Sequence, residues 1–450
     1  MHTIKLTVAV VGLALISLLP ACKKEDSKLP VSQKVPPGFE RNEMVLYWNE
    51  KTSTLLSSPA LLVSPPGQAR FFAMVQIAVH DALNTISSTF ERYALQVERV
   101  PSANPDAAVA SAVYHTIKAL NIQGNFPLDE WYQQALSQMP DNTPKTRGIE
   151  LGKESAQAII NKRQNDNYAT ASLQGPGPDG VNPGEYRSTL PFSNPNILNK
   201  PKPLSKWSTL TPFVLQSSSQ FRATPPYPIN SPEYTADYNE VKAKGGRENH
   251  TRTADETSMG VFWVERSTIG WNRLAYNLVK ASKIDALRTA RLFALLHTAM
   301  VDGAITNFES KYHYFYWRPE TAIRLGDQDG NDATIGDPNW LPSNTETPNP
   351  NNSLMNIHTP PIPDYPSQHS NFGGAAGRVL QLFFGRDDIP LTLTSPTLPG
   401  VTRQYSTISA AIRDNSLSRI YVGYHFRKAV EAGEKQGIEV GEYIFNNAFR

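Results

Sequence analysis

The sequence predicts an all-α protein: two related helical bundles packed together, with long Pro-rich connections. Three observations carry that expectation. Apolar residues recur at helical spacing along most of the chain, strand-type alternation is scarce, and part of the first half repeats in the second. The expected boundaries are a leader over 1–22, a tether over 23–39, an N-terminal bundle over 40–170, a wrapping connection over 171–256 and a C-terminal bundle over 257–450.

At the N-terminus Lys5 precedes an apolar run, Leu6 to Leu19, that is too short to span a membrane comfortably. It ends in Leu19-Pro-Ala-Cys22, which resembles a bacterial lipoprotein cleavage site. Cys22 is therefore expected to become the lipidated first residue of an exported protein, anchored to a membrane and facing the periplasm or the cell surface. It is also the only cysteine, which excludes an intramolecular disulfide. Lys23 to Pro30 reads as a solvated tether. A formal charge of +2 over 450 residues lacks the basic footprint of a nucleic-acid binder.

Beyond about Glu40 the pattern is helical. Ser64-Pro-Pro-Gly67 punctuates it, and helices are expected over Ala69 to Ile86, Asp106 to Leu120 and Thr146 to Asn165. From about Ala171 to Pro232 the chain turns to Pro, Gly and Ser. Trp207, Phe213 and Phe221 need burial, so this stretch is expected to wrap the core in order. Helical pattern returns over Thr257 to Lys280 and over Lys283 to Trp317. The repeat aligns Ala69-Arg-Phe-Phe-Ala to Asp81 with Ala290-Arg-Leu-Phe-Ala to Asp302, and later Gly148-Ile-Glu-Leu-Gly152 with Gly437-Ile-Glu-Val-Gly441. Pro-Ser-x-His and the Lys/Arg pair occur in the second half alone, so chemistry is expected there.

Three basic clusters share that half. Pro366-Ser-Gln-His369 leads into a helical run ending at Phe384, and a helix start offers unpaired N–H groups and a positive dipole end to an anion. Lys311 and Arg318, seven apart, would project from one helical face about 10 Å apart along the axis, with Pro319 ending the helix. Their aromatic neighbours imply burial, and buried cations need an anion. Arg419 and His425 lie six apart, about 120° on an ideal helix, so they would hold an anion from two sides unless Arg419 sits at the helix entry. Together the clusters read as the walls of one tetrahedral-oxyanion pocket.

Lys-x6-Arg-Pro, Pro-Ser-x-His and Ser-Arg-x5-His, in that order, resemble the signature shared by vanadium-dependent haloperoxidases and type 2 phosphatidic acid phosphatases. Trp317-Arg-Pro-Glu-Thr-Ala-Ile-Arg324, Phe262-Trp263 and Pro363-Asp-Tyr-Pro366 resemble soluble bacterial haloperoxidases. The resemblance implies vanadate, with phosphate able to take its place, held by Lys311, Arg318, Ser367, the backbone N–H of Gln368 and Arg419. It also implies His425 as the vanadium ligand and His369 as the acid/base. The partners implied are hydrogen peroxide and a halide, iodide or bromide, oxidised to hypohalous acid, with an organic acceptor left open. The alternatives are a soluble acid phosphatase using a phosphohistidine at His425 and a non-catalytic surface lipoprotein. Two positions depart from the family. Gln368 stands where Gly is usual, and Ala429 stands where an Asp often orients the last histidine. Asp327-Gln-Asp-Gly-Asn331 reads as a polar turn rather than a calcium loop, because Pro338 takes the place of its Glu. His80-Asp81 reads as a buried structural pair, and Phe308 as core packing.

Overall fold

The computed structural model describes residues 35–58, 61, 63–122, 126–173, 175–189, 200–282, 284–343 and 359–450. The leader, Cys22 and most of the tether lie outside the described residues.

Most helices begin where a short polar side chain meets a proline or an acidic residue. Helix α1 is Glu43–Ser57. Helix α2 is Pro65–Ser87, entered by Ser64, whose hydroxyl accepts the Gly67 N–H. Asn104 does the same for α3, Pro105–Ala119, and Asn142 for α5, Thr143–Arg163, with α4, Leu128–Ser137, between them. A side-chain oxygen at the cap satisfies an N–H that the helix cannot, and proline at the first positions forfeits none. A short α6, Tyr168–Ala171, opens the Pro-rich stretch, where Gly175–Gly177 (β1) pairs antiparallel with Lys200–Lys202 (β2). Trp207 is fully buried there, Phe213 is buried and Phe221 packs half-buried against the core, so the stretch does wrap.

Helices α7 (Pro232–Gly245), α8 (Ala254–Phe262) and α9 (Ser267–Ser282) follow. The run expected from Thr257 to Lys280 is thus two helices, interrupted at 263–266. Then come α10 (Ala286–Tyr314), α11 (Pro319–Arg324), α12 (Gln368–Phe384), the antiparallel hairpin β3 (Leu391–Thr394) and β4 (Thr402–Tyr405), α13 (Ile408–Tyr421) and α14 (Arg427–Asn447).

The repeat is a structural one. Helices α2 and α10 are buried nearly all round and pack against each other at the centre. Each repeat ends in an aspartate that gathers three consecutive backbone N–H groups from a distant loop. Asp81 accepts from Tyr93, Ala94 and Leu95 at 2.8, 2.6 and 2.9 Å. Asp302 accepts from Phe213, Val214 and Leu215 at 2.7, 2.8 and 3.0 Å. His80 holds its Nδ1 3.1 Å from Asp81 in the same buried knot, a structural pair as expected.

The second repeated motif packs one helix pair in each half. A Cβ at Gly148 of α5 would lie 2.5 Å from the Asn104 carbonyl of α3, and one at Gly437 of α14 would lie 2.0 Å from the Asn371 carbonyl of α12. Only glycine lets the backbones come so close. Asn104 and Asn371 thus occupy equivalent places, but Asn104 caps α3 whereas α12 begins one turn earlier, at Gln368. That additional turn, absent from the first half, carries Gln368 and His369.

Asp327 to Asn331 form a self-satisfied polar turn. Asp329 accepts from the Asn331 N–H at 2.8 Å and the Thr334 hydroxyl at 2.8 Å, and Asp327 accepts from the Gly336 N–H. Phe308 is buried in the core. No helix among the described residues is long and apolar enough to cross a membrane.

Candidate functional site

Ser367 caps α12 in an extended conformation, φ −67° and ψ 119°. Its hydroxyl accepts the Ser370 N–H at 3.4 Å and meets the Ser370 hydroxyl at 3.0 Å. Its own N–H donates to the Ala429 carbonyl at 2.8 Å. Gly433 backs onto Ser367 so tightly that a Cβ there would lie 2.2 Å from the Ser367 carbonyl. The turn is therefore clamped between α12 and α14. Gln368 is half-buried, and its Nε2 is buried without a partner. His369 sits in the first turn with Nδ1 2.6 Å from the Ser267 hydroxyl, while Asn415 donates to its carbonyl at 3.2 Å. Its Nε2 is buried and unpartnered. Burial, then the charge of Arg419, holds this imidazole well below the ordinary histidine range.

Lys311 and Arg318 do not share a helix face. Helix α10 ends at Tyr314, Phe315 turns into the left-handed region at φ 46°, and Arg318 caps α11 with Pro319 as its first residue. Pro319 begins a helix rather than ending one. The aromatic run cannot continue α10, because Tyr186 pairs its N–H with the Phe315 carbonyl and Trp317 donates to the Gly184 carbonyl. Both cations are fully buried, as their neighbours implied. Lys311 donates to the carbonyls of Pro363 and Asp364 at 2.8 and 2.9 Å, and Arg318 donates through Nε to the Ile362 carbonyl at 2.8 Å. These bonds strap the loop before Ser367 to the end of α10.

Arg419 and His425 also part company. Arg419 is in the last turn of α13, whereas His425 lies in the loop before α14, reversed by Gly423 at φ 80°. The Arg419 carbonyl accepts the N–H groups of Tyr424 and His425 at 3.0 and 3.3 Å, so the loop folds back over it. The Arg419 guanidinium donates through Nε to the Ser418 hydroxyl at 3.0 Å, and one terminal nitrogen is buried with no partner. Burial brings it down to about 10.

His425 is where the clusters meet. Arg318 places a terminal nitrogen 3.0 Å from its Nε2. Burial, followed by the charges of Arg318, Lys311, Arg419 and His369, holds the imidazole well below the usual range. Lys311, Arg318, Ser367, His369, Arg419 and His425 are thus gathered in one region from α10, α11, α12, α13 and the loop before α14.

One residue of the region has no role in the sequence reading. Asp364 is fully buried, with a carboxylate oxygen 2.8 Å from His425 Nδ1 and 3.9 Å from Arg318. Burial pushes its carboxyl up to about 7 against the opposing pull of Arg318 and Lys311. It stands inside the Pro363-Asp-Tyr-Pro366 motif, and that placement is the only signal the sequence held. Ser267, beside His369, carried none.

The charge balance is one-sided: among the described residues, Asp364 is the carboxylate acting on Lys311 and Arg318, and none is paired with Arg419. Buried cations in excess, with an unpartnered guanidinium nitrogen and an unpartnered imidazole nitrogen, fit an oxyanion of at least two negative charges. They do not fit a bare metal cation, and the described residues contain no group of three His, Cys, Asp or Glu side chains able to cage one. Cations in excess with two imidazoles beside them, His369 with an unpartnered Nε2 and His425 with Nε2 turned to Arg318, form a donor set that suits vanadate.

Residues 291–450 match a family model described as the VCPO second helical-bundle domain. Vanadium chloroperoxidase of Curvularia inaequalis is 25% identical to this chain over 506 aligned residues, covering 89% of this chain and 81% of that protein. Among solved structures, the first bacterial vanadium-dependent iodoperoxidase superposes with a TM-score of 0.72 at 22% identity, over 90% of this chain and 96% of that one. A holo-type bacterial vanadium-dependent chloroperoxidase superposes with a TM-score of 0.68 at 16% identity, over 91% and 97%. At these identities the structural likeness speaks for the fold: the helical architecture is shared along nearly the whole described chain.

Proposed function

Because the chain belongs to the vanadium-dependent haloperoxidase superfamily, we propose that it oxidises iodide or bromide with hydrogen peroxide to hypohalous acid, using vanadate. The observation that carries this reading is the excess of buried positive charge around His425, with unpartnered nitrogens on Arg419 and His369. Lys311, Arg318, Arg419, Ser367 and the Gln368 N–H would hold the oxyanion, and His425 Nε2 would ligate vanadium. Bound vanadate supplies a Lewis acid that activates peroxide toward halide attack. Halide, peroxide and one proton give hypohalous acid and water. His369 Nε2 is the group that moves that proton, kept neutral and ready to accept by burial and by Arg419. Ser267 holds the opposite ring nitrogen and so keeps Nε2 directed away from α9. Outside the described residues, lipidated Cys22 would tether the enzyme to a membrane.

A second reading has one observation of its own. Asp364 beside His425 Nδ1 is the carboxylate that a nucleophilic histidine needs, so a phosphatase acting through phosphohistidine at His425 is the alternative. Titrating purified protein with vanadate, then adding peroxide and each halide in turn, separates the readings. Halide oxidation that rises with vanadate and vanishes in His425→Ala is the expected result. Phosphate release from a simple ester without halide oxidation favours the alternative. Failure to bind either oxyanion leaves a non-catalytic lipoprotein.

A further inference from the structure

We propose that Ser370 is the positioning residue for Ser367, turning the hydroxyl of that cap outward as a donor to the oxyanion. The inference rests on the oxyanion reading above and deepens it. A serine hydroxyl has one hydrogen to give and two lone pairs to accept with. Ser370 fills both lone pairs of Ser367. Its N–H lies 3.4 Å from Ser367 Oγ, and its hydroxyl donates to the same oxygen at 3.0 Å. Both side chains are fully buried, and among the described residues nothing accepts the Ser367 hydrogen. With both acceptor positions taken by Ser370, that hydrogen is left on the side away from it, free for an oxygen of the guest. An oxygen that accepts is also the better donor, because each bond in a chain polarises the next.

Closing the helix does not require the second bond. A cap needs its side-chain oxygen to accept one first-turn N–H. Ser231 of α7 and Thr407 of α13 do that and no more, each accepting a single N–H, from Tyr234 at 3.1 Å and from Ala410 at 2.9 Å. At Ser367 a second hydroxyl is added behind the first, and it satisfies no backbone group of the helix. The Ser367 backbone is held separately, since its N–H donates to the Ala429 carbonyl at 2.8 Å and Gly433 of α14 leaves no room for a Cβ against its carbonyl. Helix α14 thus pins the main chain, and Ser370 of α12 sets the side chain. Both serines belong to the turn that α12 has and α3 lacks. The device is confined to the half that carries the basic clusters.

A double-mutant cycle tests the role, because a residue that acts through Ser367 has no effect once the Ser367 hydroxyl is gone. Binding of vanadate and of inorganic phosphate is measured by calorimetry on the full chain for the wild type, Ser370→Ala, Ser367→Ala and the double variant. In Ser370→Ala the affinity for both oxyanions is expected to fall about 2- to 10-fold. In the Ser367→Ala background the same change should alter nothing further. Equal losses in both backgrounds would mean that Ser370 only supports the fold around the pocket, and no loss beside an intact Ser367 would mean that its hydroxyl is idle. Either result overturns the proposal. If the wild type and Ser367→Ala bind alike, Ser367 is no donor to the guest and the proposal falls with it. If the wild type binds phosphate but not vanadate, the vanadate reading fails, and the phosphate cycle alone still decides the role of Ser370. Binding of neither oxyanion ends both. Ser370→Cys, nearly the same in shape but a far weaker donor, takes the place of Ser370→Ala if the alanine variant does not fold, and the same pattern of losses is expected of it.

Discussion

Arg419→Met tests whether this pocket is kept unsatisfied for a guest. Burial lowers the Arg419 guanidinium from 12.5 to about 10. At about 1.36 kcal/mol per pH unit, holding that charge in the folded protein costs about 3 kcal/mol. The sign follows from a base whose folded value is depressed. The charge is present at neutral pH, so the full cost operates there and disappears only as pH rises past both values. Methionine keeps the length of the stem and removes the charge. It forfeits the 3.0 Å bond from Nε to Ser418, worth about 1 kcal/mol, which leaves the oxyanion-free protein about 2 kcal/mol more stable. Spread over Lys34–Arg450, at about 2.1 cal/mol/K per residue, that is a melting temperature about 2 °C higher. Charge-assisted bonds to the oxyanion are worth about 1.5–3 kcal/mol, so vanadate affinity should fall by roughly 10- to 150-fold. Thermal melts with and without vanadate read both effects in one series. A variant that melts lower than wild type without vanadate, yet gains as much from it, would refute the reasoning.

Three more expectations follow from particular contacts. His369→Ala should bind vanadate nearly as wild type while halide oxidation falls about 100- to 10,000-fold; loss of binding in a vanadate titration would move His369 from proton transfer to ligand contact. Gly437→Ala and Gly148→Ala both push a Cβ against backbone, at 2.0 and 2.5 Å, and each should cost about 1–3 kcal/mol in chemical denaturation. Only Gly437→Ala should weaken vanadate binding, because α12 and α14 carry the site and α3 and α5 do not. Asp237, buried beside α14 and accepting the Lys428 N–H at 2.7 Å, is raised to about 6 chiefly by burial. Its stabilising contribution is complete below the unfolded value near 4 and is lost as pH rises through about 6, by about 2–3 kcal/mol. Asp237→Asn, which keeps an acceptor for Lys428, should flatten that decline in denaturation curves taken between pH 4 and 7.

Much of the site can be read without coordinates because its ends are written in local chemistry. Ser367 after Pro366 announces a helix cap, and the cap is where the anion donors stand. The repeat is legible because an Asp at the end of an apolar helix and a Gly-x-x-x-Gly pair answer packing needs that recur in both halves. Ideal helix geometry misleads at Arg318 and His425. Spacing of seven and six assumes an unbroken helix, but Phe315 and Gly423 take left-handed conformations that end α10 and reverse the loop after α13. Those turns are set by partners far off in the chain, Tyr186 and Gly184 for the first and the Arg419 carbonyl for the second.

The residues themselves determined the class of fold, the internal repeat, most helix entries and the identity of the cations, because each depends on neighbours within a turn or two. Tertiary structure alone decided which carboxylate meets His425, which hydroxyl meets His369, and that the second half carries one more turn than the first. These are pairings between residues tens to hundreds of positions apart, chosen by how helices pack, and no short-range rule reaches that far.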